Sequence, residues 1–377
     1  MEIIYIIALL LLLFSTFTGK LKKTTVTFAI VVMVILIYGL DNQLDLYNYA
    51  IRYENVMESN SSREIGFQIL MQCFKVFHID FATFRTIMLL IGLVLIILHI
   101  KRITKDASFF ILIYMSYFIF LDGEQLRNFY ALIILVCAFK YLFEDTKGAT
   151  VKYIVLILLA STIHTSFLIY LVLLLAKSKI DISKLMIKLI PIVTIIMLIL
   201  ARYTDVQSLI LGAFSSEEDS RASYYSESSS DLAWIVPSTI YIWNILIIKY
   251  CWSLAKNKKW NYEIKKYSLK DAKIKIYKDY VPMEFVFERL YWINIVGLLF
   301  LPLCMNSLVF YRLNRNMVMI NLIFISSMYN KQREIKGKTI PIFILIFILM
   351  IGYWIFDFSI YYLWENFYEV YFVERTI

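Results

Sequence analysis

The chain has 377 residues, 60% of them hydrophobic and 18% charged, with a net charge of +9 and a mean hydropathy of +0.70. A soluble globular domain is roughly half apolar and about a quarter charged, so this composition excludes one, and repeated apolar runs of about 20 residues read as transmembrane helices. The runs do not alternate with period two, which excludes a β-barrel. The positive charge lies in short loops between spans, where it points to topology and anionic lipid head groups rather than to nucleic acid.

The first apolar run, 3–18, follows an acidic Glu2 and has no small-residue cleavage site, so it reads as a retained span. Lys20, Lys22 and Lys23 follow it, which places that loop in the cytoplasm and the N-terminus outside. A second span, 26–40, leads to an acidic external loop carrying Asp41, Asp45, Glu54, Glu58 and Glu64 against Arg52 and Arg63. Segment 65–79 is apolar on one side and short for a crossing. Region 41–80 is therefore expected as an external loop containing an interfacial helix. Span three, 84–100, ends at Lys101, Arg102 and Lys105 inside. Span four, 109–121, surfaces at a polar knot, Asp122-Gly123-Glu124-Gln125-Leu126-Arg127-Asn128, and span five, 129–143, returns to Lys140, Lys147 and Lys152.

Residues 151–176 admit two readings. One long span would put Lys177, Lys179, Lys184 and Lys188 outside, whereas a hairpin broken at 162–166, around His164, returns them to the cytoplasm. Loop charge orients spans more reliably than length does, so the hairpin is the expectation. A span at 185–203, kinked at Pro191, leads to a Ser-rich acidic loop, 205–231, expected to be external and flexible. Residues 232–254 then run inward to the basic stretch 256–279, where nine lysines stand against three acids and mark the cytoplasm. Spans at 286–303, 318–329 and 340–360 follow. Arg312 and Arg315 lie one helical turn apart at the external turn between the first two. Tyr353, Trp354, Tyr361, Tyr362 and Trp364 form an interfacial belt. The sum is an all-α polytopic membrane protein, one multi-pass domain over 1–377 with about twelve crossings and both termini outside.

Cys73, Cys137, Cys251 and Cys304 are scattered and read as packing residues. His78, His99 and His164 show no metal-ligand spacing, so a protein-built metal site is not expected. Under this topology Asp45, Arg52, Glu64, Glu124, Arg127, His164, Arg312 and Arg315 all fall at or just below the outer surface. Ionisable groups at that depth are expensive and mark function by default. Arginine binds phosphate oxygens bidentately and stays charged when partly desolvated. The collection therefore suits a lipid-linked anion such as a pyrophosphate, with a carboxylate or imidazole to deprotonate an acceptor hydroxyl. Blander readings compete at each position: Arg127 snorkelling or pairing with Glu124, His164 capping the helix break, Asp45 and Glu64 as plain loop acids, Arg312 and Arg315 as interface anchors.

Three stretches of the chain match a known pattern in order and spacing over 40–176. The first is Gly39-Leu40-Asp41 with Asp45-Leu46-Tyr47-Asn48-Tyr49, followed by Glu64-Ile65-Gly66-Phe67. The second is Gly123-Glu124-Gln125-Leu126-Arg127-Asn128-Phe129-Tyr130-Ala131, and the third Leu159-Ala160-Ser161-Thr162-Ile163-His164-Thr165-Ser166. With Phe310-Tyr311-Arg312-Leu313 further on, they make the chain resemble the EpsG family of bacterial membrane proteins, which is related to the Wzy-type polysaccharide polymerases. Asn128 stands where the family has Gln, and Glu124-Gln125 lengthens its Gly–Arg spacing.

The resemblance implies an integral-membrane glycosyltransferase of the bacterial cytoplasmic membrane, active at the outer face. Such proteins transfer a growing exopolysaccharide or capsule glycan from undecaprenyl pyrophosphate to a new lipid-linked repeat unit, without cofactor or metal. Arg127 and Arg312 would hold the pyrophosphate, with Arg315, Glu124 and Arg52 as further substrate-binding candidates. His164, Glu64 or Asp45 would activate the acceptor. The partners implied are the undecaprenyl-pyrophosphate-linked oligosaccharide, membrane lipids and other polysaccharide assembly proteins. A flippase, a membrane acyltransferase that decorates the glycan, and a structural subunit of an assembly complex are the alternatives.

Overall fold

Apolar runs in lipid fold as helices because each backbone N–H and C=O must find its partner within the segment. The structure, a computed structural model, describes the backbone of residues 1–39, 44–58, 64–104, 106–177, 180–203, 234–270, 273–306, 310–335 and 339–357. Side chains are described there except at 44–45, 147, 180–188, 201–203, 262–280 and 306. Asp41, the tip 59–63, the acidic loop 205–231, the turn 307–309 and the aromatic tail from Tyr361 fall outside the described residues.

The protein is an all-α membrane protein, with one small β-hairpin among the described residues. α1 (Glu2–Thr18) and α2 (Lys22–Tyr38) pack together across a turn in which Gly19 takes a left-handed φ of 69°. In the loop that follows, two helices form. α3 (Leu44–Glu54) was not expected; it buries Leu46 and Tyr53, seven residues apart, on one face. α4 (Ile65–Val76) occupies the place of the expected interfacial helix. α5 (Phe81–Ile103) starts at Asp80, whose carboxylate accepts from Thr83 N at 2.9 Å. Among the described residues, Phe81–Ile103, Ile235–Lys258 and Met283–Met305 are long and apolar enough to cross a membrane, and six shorter apolar helices accompany them.

The segment expected as span four is a continuous run of α6 (Ser108–Ile113), a π-helical turn (Tyr114–Phe118) and α7 (Ile119–Glu124). The chain breaks at Gln125 and reverses into α8 (Leu126–Phe139). Segment 147–177 is the expected hairpin. α9 (Lys147–Ile163) stops at His164, which is extended (φ −145°, ψ 108°), and a 3₁₀ helix (Thr165–Lys177) returns. Tyr153 Oη ties the arms together by donating to Tyr170 O at 2.8 Å. α10 (Ile180–Tyr203) contains Pro191. After α11 (Ile235–Lys258) the basic stretch holds what an all-helical reading lacks. Strands β1 (Asn261–Lys270) and β2 (Lys273–Pro282) pair antiparallel, Asn261 opposite Pro282. α12 (Met283–Val296), α13 (Tyr311–Glu334) and α14 (Ile340–Ile355) complete the bundle.

α13 is the axis. Twenty of its 24 residues are buried, among them Asn314, Arg315, Asn316, Asn321, Ser326, Ser327 and Asn330. Polar side chains this deep are stabilised by bonds across helices, and Arg315, Asn316, Asn321 and Asn330 make them, whereas Ser326 and Ser327 bond carbonyls of α13 itself. Asn128 and Asn316 exchange amide bonds at 3.2 and 2.9 Å, and Asn321 donates to Asn294 Oδ1 at 2.7 Å. The two ends of α13 differ in chemistry. At its C-terminal end Arg333 pairs with the buried Asp106 at 2.5 Å and donates to Thr16 O at 2.7 Å, with Lys22 3.6 Å from the same carboxylate. Lys20, Lys23, Lys101 and Arg102 flank this knot in sequence. Arg312 lies 21 residues before Arg333, about 30 Å along the axis, which is the thickness of a bilayer core.

Candidate active site at the start of the central helix

Glu64 precedes α4 but does not cap it. Its carboxylate turns instead into the bundle, where it is 8% exposed. One oxygen pairs with the Arg127 guanidinium. The other lies 2.9 Å from His164 Nδ1 and accepts from Thr165 N at 3.3 Å. Arg127, in the first turn of α8, also donates from Nε to Tyr49 Oη at 3.0 Å and lies over the Tyr49 ring, 5.5 Å from its centre. Tyr49 stands on α3 against Phe67 of α4. Four elements that are remote in sequence thus converge on one carboxylate.

Local structure explains the convergence. The break at Gln125 starts α8 afresh, so Arg127 projects at a helix N-terminus rather than from mid-span. The break at His164 turns the imidazole away from the α9 ladder, while the His164 backbone N–H still donates to Ala160 O at 2.9 Å. Gly66 lets α4 lie directly on α9: a β-carbon there would come within 3.1 Å of the Thr162 carbonyl carbon.

Burial alone would raise the Glu64 carboxyl, but the His164 hydrogen bond and the Arg127 charge outweigh it and hold the group down at about 2. An ionised carboxylate only accepts, so His164 Nδ1 carries the proton and Nε2 keeps its lone pair. Arg312, half-buried in the first turn of α13, is close enough for its charge to act on both His164 and Asp357.

Of the residues singled out by sequence, the structure brings Glu64, Arg127 and His164 together and sets Arg312 beside them. Arg127 pairs with Glu64 rather than with Glu124, which is half-buried at the end of α7. Arg315 is not at the surface. It is 1% exposed and donates to Gln125 Oε1 at 2.7 Å and to Tyr311 Oη at 3.2 Å. Arg52 is exposed on α3, and Asp45 lies in the first turn of α3 with its side chain outside the described residues. Tyr49, Gln125, Asp122, Tyr311 and Asp357 were missed. Tyr49 and Gln125 lay inside recognised stretches, and only their polarity beside an apolar run marked them. Around Arg315, Tyr311 Oη bonds Asp357, Tyr117 Oη bonds the other oxygen of Asp357, and Tyr114 Oη donates to Asp122 at 2.9 Å. The π-helical turn brings Tyr114 and Tyr117 to these two acids. Among the described residues no cluster of His, Cys, Asp and Glu is arranged to hold a metal ion.

No curated protein and no solved structure matches the chain. A family model, that of the EpsG family, matches residues 23–371, taking in every residue of this site together with the helices that carry it. The chain belongs to the EpsG family.

Proposed function

We propose that the protein is a repeat-unit polymerase: it transfers a growing glycan from undecaprenyl pyrophosphate to a new lipid-linked repeat unit at the outer face of the cytoplasmic membrane. The observation that carries this reading is the Glu64–His164 pair flanked by Arg127 and Arg312. Family membership supports a polysaccharide polymerase-type role. The lysine-rich knot around Arg333, one bilayer thickness away, supports placing the site outside. About twelve crossings, with 41–80 and 205–231 outside and 256–279 inside, complete the proposed topology.

A carboxylate held at about 2 is a poor base, so Glu64 orients and His164 acts. Glu64 accepts from Nδ1–H and presents Nε2 to the acceptor hydroxyl of the incoming unit. That oxygen attacks the anomeric carbon of the growing chain while Nε2 takes its proton. The bond from the anomeric carbon to the pyrophosphate oxygen breaks, and its electron pair leaves with the undecaprenyl pyrophosphate. Arg312 and the free edge of Arg127 stabilise that developing charge. Glu124 and Arg315 border the same end of the bundle, Arg315 holding Gln125 and the first turn of α13 in place.

Glycan chain length in a deletion strain tests the reading. Complementation with wild type restores long chains. His164→Ala and Arg127→Ala, at matched levels of folded protein, leave single lipid-linked units on the outer face. Units accumulating inside would identify a flippase, and normal chain length with a lost decoration would identify an acyltransferase.

A further inference from the structure

At the opposite end of the α9 hairpin from His164 lies a second built environment. An open groove of about 600 Å³ is lined by Thr150 of α9 and by Leu171, Val172, Leu174, Leu175 and Lys177 of the 3₁₀ helix. Beside it α9 presents an apolar outer face, with Val151, Val155, Leu158 and Leu159 each about half exposed. Next to Lys177, cations gather on one aromatic ring. Lys140 Nζ lies 4.7 Å and Lys152 Nζ 5.7 Å from the centre of Tyr141, and Lys177 donates to Tyr141 O at 3.0 Å. Arg289 binds Asp145 at 2.7 Å, using one of the two nearby acids, and Arg102 acts with Lys140 on His99 and Cys137. Five cations face two carboxylates, Glu144 and Asp145.

We propose that this end of the hairpin binds an anionic diacyl phospholipid, its phosphate against Lys140 and Lys152 and one acyl chain in the groove. The two halves of the site call for one molecule with both chemistries. A free phosphate would leave an apolar groove empty, and a neutral lipid would leave the charge unmatched. Basic pockets between helices on the cytoplasmic side suit such head groups. The site is separate from the Glu64 centre, so it stands whether or not the polymerase reading does.

The test is lipid retention and titration on the purified full-length protein in detergent, followed by native mass spectrometry, with phosphatidylglycerol and phosphatidylcholine as probes. Wild type retains phosphatidylglycerol in preference to phosphatidylcholine. The double variant Lys140→Gln/Lys152→Gln loses about 30-fold in phosphatidylglycerol affinity, as expected for two surface charges, and leaves phosphatidylcholine unchanged. Val172→Trp, which fills the groove, weakens both lipids. Elution profile and melting in lipid-free detergent confirm that the variants are folded. Equal retention of phosphatidylglycerol by all three proteins overturns the site. So does displacement of phosphatidylglycerol by millimolar inorganic phosphate alone, which would mark a simple anion site.

Discussion

Gly66→Ala perturbs the candidate site without touching a charged group. The new β-carbon would lie 2.2 Å from Thr162 Oγ1, 3.0 Å from Thr162 Cβ and 3.1 Å from the Thr162 carbonyl carbon. The hydroxyl can rotate, giving up its 2.7 Å bond to Leu159 O. The backbone cannot. Carbon atoms pack at about 3.5–4.0 Å, so α4 must retreat from α9 by roughly 0.5–1 Å. Glu64 lies two residues before Gly66 and His164 two residues after Thr162, so the gap opens at the dyad itself. The 2.9 Å contact between Glu64 and His164 Nδ1 then stretches past hydrogen-bond length. A misplacement of about 1 Å costs on the order of 100-fold in rate, and the overpacking costs about 1–3 kcal/mol of stability. Consumption of lipid-linked repeat units by isolated membranes, at matched protein level, should therefore fall about 100-fold. Gly148→Ala is the control, because nothing lies within 4 Å of its added carbon. Wild-type rates in Gly66→Ala would refute the claim that the close approach of α4 and α9 positions the dyad.

Other outcomes follow from the same geometry. The Glu64 carboxyl falls from its ordinary 4.5 to about 2, so the stability it adds is complete above about pH 4.5 and drains away as pH falls toward 2. The difference in melting midpoint between wild type and Glu64→Gln should be constant from pH 5 to 7 and close in acid; a difference that grows below pH 4 would contradict it. Arg315→Ala removes a fully buried cation that faces Asp122 and Asp357 and donates to Gln125, and should cost about 3–5 kcal/mol, read as loss of monodisperse protein. Arg52→Ala, exposed on α3, should leave stability unchanged in the same assay. For the Asn128–Asn316 amide pair, a double-mutant cycle to Leu should give a coupling of about 0.6 kcal/mol and no more than about 1.7. Additive single effects would show that the pair contributes no specific bond.

Much of this was legible from charge and period. Lysines at 177–188 gave the α9 hairpin its reversal, and the polar knot at 122–128 marked the turn between α7 and α8. Arg127 and His164 were legible because each interrupts an apolar run. Their meeting at Glu64 was not, since it depends on α4 folding back onto α9 through Gly66, a contact 96 residues long in sequence. The burial of Arg315 was equally hidden. One turn separates it from Arg312, and only the convergence of Tyr117, Gln125 and Asp357 on the start of α13 decides which of the two sees the interior. The hairpin 261–282 escaped because its lysines outweigh the alternation of Tyr and Ile that a strand requires.

The burial of α13 has a consequence for how the protein is made. A segment carrying Asn314, Arg315, Asn316, Asn321 and Asn330 is a poor candidate for the insertion machinery on its own, since charged and amide groups at mid-membrane depth are costly. Hydrogen-bond partners of four of these, Gln125 for Arg315, Asn128 for Asn316, Asn294 for Asn321 and Thr104 for Asn330, emerge from the ribosome earlier. α13 therefore joins helices already in place, and the candidate site at its first turn is assembled only when nearly the whole chain has been synthesised.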